Sequence, residues 1–160
     1  MISAVGISIL SLSIIGFGLS YCNGLKKEKE SVEGLLLLAE RIHTRIKCFR
    51  QGLPEIYDGF THPYLDAVGF TCDLKEKGMT YALEGNGDKL GIGHDILLES
   101  ESFAMHLGKS YYDEQLTLCE DYLSFLKSRY DEIKKGLPNK TKLSLSLSFA
   151  VSALSAILFI

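Results

Sequence analysis

Residues 112–137 read YDEQLTLCEDYLSFLKSRYDEIKKGL, and the fold class follows from the spacing of their apolar members. Tyr112, Leu116, Cys119, Leu123, Leu126, Tyr130, Ile133 and Leu137 are separated by four and three residues in turn, without a break over 26 residues. At about 3.6 residues per turn, that spacing draws one continuous stripe along a helix. Leu118, Tyr122 and Phe125 widen the stripe, so the helix is expected to sit among several partners rather than zip to one. Asp113 and Glu114 at its start and Lys134 and Lys135 at its end suit the helix dipole.

A second seam lies upstream. Val32, Leu35, Ala39, Ile42, Ile46, Phe49 and Leu53 repeat the same alternation, with Glu33, Glu40, Arg41, Arg45 and Lys47 on the opposite face. Gly52 and Pro54 mark its end, and LPEIYDGF (53–60) reads as a short helix because proline suits a first turn. A turn follows at Thr61-His62-Pro63. Leu65 to Leu83 reads as one or two short helices, and Asp95 to Leu107 as another with Ile96, Leu97, Phe103 and Leu107 facing inward. No run of alternating β-branched residues argues for a sheet. The expected fold is an all-α antiparallel helical bundle.

Charge divides the chain into three. The first 23 residues and the last 18 carry no Lys, Arg, Asp or Glu, so all 17 basic and 20 acidic side chains fall within 24–142. Residues 2–21, ISAVGISILSLSIIGFGLSY, are long enough to cross a hydrocarbon core of about 30 Å as a helix. Residues 143–160, LSLSLSFAVSALSAILFI, reach the short end of that range. Their alternating serines have period two, but a lone strand in lipid leaves its backbone unpaired, whereas helical serines bond back one turn. The expected organisation is a transmembrane helix at 1–23, a helical domain at 24–142 and a transmembrane helix at 143–160. Lys26, Lys27 and Lys29 follow the first span, and Lys134, Lys135, Lys140 and Lys142 precede the second, which places the middle domain in the cytoplasm. A cleaved signal would need basic residues before the apolar run and small residues at the cut, and Tyr21 stands before Cys22 where a lipoprotein site needs a small side chain.

The net charge of −3, with basic residues interleaved among acidic ones, gives no electrostatic case for nucleic acid. Cys22, Cys48, Cys72 and Cys119 have no CxxC spacing and read as small buried apolar residues. Gly85-Asn86-Gly87-Asp88-Lys89-Leu90-Gly91-Ile92-Gly93 fits neither GxxxxGK[ST] nor GxGxxG and is read as a flexible connection between helices. His43, His62, His94 and His106 have no second ligand at metal-site spacing, and there is no GxSxG elbow. No catalytic residue, metal site, cofactor or small-molecule substrate is therefore expected.

The stretch Phe103-Ala-Met-His-Leu-Gly-Lys-Ser-Tyr-Tyr-Asp-Glu-Gln115 resembles the "FG..LG..D...Q" segment of the stage III sporulation protein AB family, which leads into that family's last long helix. Phe103, Leu107, Gly108, Asp113 and Gln115 carry the match, and Leu35 to Phe60, with its Gly52-Leu53-Pro54-Glu55 element, is similar more loosely. The chain departs from the family in lacking a tryptophan, in its Gly85–Gly93 segment, and in having no glycine after Gly136. The resemblance implies a non-enzymatic subunit of the mother cell–forespore channel, in the outer forespore membrane, whose helical domain looks like that of F-type secretion platform proteins. It implies as partners a secretion-type ATPase, other channel subunits and membrane lipid. The residues 103–115 are then either an inter-helix turn or part of a partner surface. Alternatives are a platform-like subunit of a vegetative secretion or pilus apparatus, and a small membrane enzyme or transporter element. The last would be expected to hold an ionisable residue within a span, and neither span has one.

Overall fold

The computed structural model describes the backbone of residues 2–158 and the side chains of residues 13–154. The chain is all-α: α1 (Ile2–Phe49), α2 (Leu53–Asp58), α3 (Pro63–Ala67), α4 (Phe70–Lys77), α5 (Met79–Leu90), α6 (His94–His106) and α7 (Tyr112–Leu158), with no strand among the described residues. It divides into two compact units.

Lys27–Glu132 is the larger unit. Within it α1 and α7 run antiparallel, as Glu40 pairs with Lys127 at 3.4 Å and Lys47 with Glu120 at 3.9 Å. Their seams meet the shorter helices in a core that gathers Leu35, Ile42, Phe70, Leu83, Phe103 and Tyr122. Each such side chain contributes about 1.5–3 kcal/mol on removal from water. Phe103 stacks on Tyr122 at 4.1 Å, and the Tyr122 hydroxyl donates to Ser100 Oγ at 2.8 Å, which donates in turn to the Ile96 carbonyl. Burial holds the Tyr122 phenol above its ordinary pKa, so it remains a neutral donor.

Three expectations change in detail. The α1 seam stops at Ile46: Phe49 is 61 % exposed and Leu53 belongs to α2, because Arg50 turns left-handed at φ +51° and ends the helix. The glycine-rich segment is not a flexible connection, for α5 runs through it to Leu90. Asn86 and Gly87 are buried there, and a Cβ on Gly87 would meet Leu97 at 3.2 Å, so the missing side chain lets α6 close on α5. Past Glu132, α7 passes through Pro138, which supplies no N–H to the helix ladder yet does not end it.

The second unit is formed by the chain before Lys27 and the chain after Glu132. Its two helical stretches pair antiparallel, Gly18 against Ser148 and the Cys22 thiol towards the Thr141 carbonyl at 4.0 Å. Ser148 Oγ donates to the Ser144 carbonyl one turn earlier, the back-bond expected of serine in an apolar helix. Phe17, Leu147, Phe149 and Leu154 stand exposed. Among the described residues no helix is long and apolar enough to cross a membrane. The side chains of 2–12, over half of the first expected span, and of 155–160, the end of the second, lie outside the described residues.

Candidate functional site

The end of α1 and the joint between α6 and α7 build one corner of the larger unit. Arg50 takes the left-handed position just past α1, its N–H donating to the Ile46 carbonyl at 3.1 Å, and the Gln51 N–H reaches the Arg45 carbonyl at 3.4 Å. That backbone suits glycine and costs an arginine roughly 1–2 kcal/mol. Gly52, Leu53 and Pro54 follow at once, with the proline in the first turn of α2. On the facing side Leu107 ends α6 and Gly108 turns at φ +83°, where a Cβ would also come within 3.0 Å of Leu53. Glycine satisfies both demands.

Between these two turns lies an open groove of about 630 Å³. Ile46, Leu53 and Pro54 supply apolar wall, Tyr112 and Gln115 come from the first turns of α7, and Arg50 is the only charged residue among the described residues that line it. The Arg50 guanidinium lies 5.4 Å from the centre of the Tyr112 ring, within cation–π range. The Tyr112 hydroxyl donates to the Lys47 carbonyl at 3.2 Å, which fixes the ring. Arg45 bonds Gln51 Oε1 at 3.3 Å and lies over Phe49. Next to the groove, Tyr111 is 84 % exposed.

The five residues singled out by sequence separate into three kinds. Phe103 and Leu107 are buried core. Gly108 and Gln115 shape the joint: Gln115 Nε2 donates to the Ser110 carbonyl at 2.9 Å and its backbone N–H to Tyr111 O, which holds the α6–α7 turn against the start of α7. Asp113 is exposed in the first turn of α7. Only Gly108 and Gln115 touch the groove. Sequence reasoning missed Arg50, Gln51 and Tyr112 as groove residues. Tyr112 reads as a member of the helix stripe, and nothing in an arginine signals a left-handed turn.

No family model, curated protein or solved structure matches the chain.

Two other polar clusters are internal. Asn86 Nδ2 donates to Asp73 Oδ2 at 2.8 Å and to the Ala82 carbonyl, while its Oδ1 accepts from Lys89 Nζ at 3.0 Å. His43 Nε2 is buried 3.4 Å from Glu120 Oε1, close enough for an ion pair when protonated but not aligned as a hydrogen bond. Below the corner, burial and the nearby Cys119 push the Tyr57 phenol to about 12, and burial with Glu120 pushes the Cys119 thiol to about 11, so neither ionises near neutral pH. Among the described residues no group of three or more His, Cys, Asp and Glu side chains is arranged to hold a metal ion. At the corner, aromatic, apolar and cationic groups converge beside an open groove.

Proposed function

We propose that this chain is a non-enzymatic adaptor of a membrane channel, with a cytoplasmic helical domain at 24–142 carried between membrane-spanning helices at 1–23 and 143–160. In this reading the channel connects mother cell and forespore, the chain sits in the outer forespore membrane, and its domain is a platform for a secretion-type ATPase and other channel subunits. Nucleotide chemistry then belongs to the ATPase. The observation that carries the reading is the solvent-facing edge of Phe49, Arg50, Tyr111 and Tyr112 beside Gly108 and Gln115, at the same corner as the family resemblance. Tyr and Arg are the side chains that most often dominate protein–protein binding energy. The uncharged ends, their flanking lysines and the exposed Phe17, Leu147 and Phe149 support the membrane part.

Crosslinking in sporulating cells tests this. Cys22 and Cys119 are buried as expected, but Cys48 and Cys72 stand exposed, so both of these are changed to Ser and one new cysteine is placed at Asp113. The adaptor reading expects an adduct with a hexameric secretion-type ATPase or another channel subunit. Adducts with unrelated, abundant membrane proteins alone contradict it.

A further inference from the structure

We infer that the groove between Arg50 and Gly108 takes a short segment of a partner protein in which a carboxylate side chain lies beside a bulky apolar one. This rests on the adaptor reading and names the chemistry of what docks.

Charge selects the occupant. Arg50 is the one charged group among the described residues lining the groove, and no carboxylate lies within ion-pair distance of it among the described residues. Arg45, one turn earlier on α1, likewise has no carboxylate partner among them and is bonded to Gln51. An arginine fork receives a carboxylate through two parallel N–H···O bonds. The guanidinium is already held over Tyr112, whose hydroxyl is tied to Lys47 O, so little side-chain freedom is lost on pairing. Behind it Leu53 and Pro54, over the buried Ile46, offer apolar wall to a bulky apolar side chain. A basic segment would meet Arg50 as a like charge, and a wholly apolar one would bury the guanidinium without a partner. Arg50 also occupies a left-handed turn that glycine would fill with less strain, which separates its contribution to binding from its contribution to the fold.

The probe is a displayed library of random dodecapeptides, selected on the full chain in neutral detergent. The expected result is enrichment of peptides with Asp or Glu within four residues of Leu, Ile or Phe. Arg50→Gly should weaken them roughly tenfold or more while the helical signal and the melting temperature hold, and Arg50→Lys should recover part of the loss. No enrichment, enriched peptides without an acid, unchanged binding to Arg50→Gly, or occupancy of the groove by a second copy of the chain would overturn the proposal. If the peptides fail while the Asp113 cysteine still captures the ATPase, the groove chemistry is wrong and the adaptor reading stands.

Discussion

Lys77 lies over the Tyr81 ring at 4.1 Å and Arg50 over the Tyr112 ring at 5.4 Å, both in the larger unit, and the rest of their surroundings differ. Lys77 also pairs with Asp73 at 3.5 Å, and Asp73 accepts from Asn86, so this pair of charges on α4 is answered within the fold. Arg50 has the ring and no carboxylate among the described residues, in a backbone conformation that disfavours arginine. The first cluster closes a helix pair and the second leaves a charge facing solvent beside an apolar groove. On the proposed adaptor reading, that unanswered charge is what the corner offers a partner.

The largest effect expected lies under the corner. Phe103→Ala removes the ring stacked on Tyr122 and should cost about 3–5 kcal/mol in chemical denaturation. A loss below about 1 kcal/mol would mean that the corner does not rest on packed core. Next, Asn86→Ala should cost about 1–2 kcal/mol by removing three hydrogen bonds of a buried amide, and should leave peptide binding at the groove unchanged.

The same cluster gives a pH signature. The Asp73 carboxyl is held below its ordinary pKa, first by the Asn86 amide and then, after a smaller opposing desolvation, by Lys77. A carboxylate whose folded pKa is depressed stabilises the fold above its unfolded pKa of about 3.9, and that contribution fades as pH falls through the folded value. Carbon-detected NMR titration should find the Asp73 midpoint below that of an ordinary aspartate, and Asn86→Ala should move it back up. An unmoved midpoint would remove Asn86 as the cause.

A smaller effect of opposite sign separates a helix from a loop at the glycine-rich segment. Gly85 is exposed in α5, and its nearest neighbour to an added Cβ is Asp73 Oδ2 at 3.7 Å, an ordinary contact. Gly85→Ala should therefore stabilise by about 0.5–1 kcal/mol, read as a raised melting temperature. A flexible connection would show no gain. Smallest of all, Arg50→Gly should leave stability near its starting value, since relief of the left-handed strain and loss of the ring contact nearly offset.

The long seams of α1 and α7 were legible because their apolar residues keep helical spacing over several turns, and all-α followed from that. The short helix at Leu53 was legible from Gly52 and Pro54, and the α6–α7 joint from Leu107-Gly108. The stretch Gly85–Leu90 was not, because glycine, asparagine and aspartate lower helix propensity and tertiary packing overrides them: Asn86 finds buried partners and Gly87 makes room for Leu97. The candidate groove was half legible. Gly108, Tyr112 and Gln115 stand within one short segment, while Arg50 meets them only through the antiparallel pairing of α1 with α7, which local spacing does not encode.

The most direct test places a photocrosslinking phenylalanine derivative at Tyr111 in one strain and at Tyr81 in another, both exposed, at 84 % and 47 %. In sporulating cells the proposed adaptor role predicts a discrete adduct with a secretion-type ATPase or another channel subunit from position 111, and none from position 81. An adduct with such a subunit from 81, with 111 silent, would contradict it.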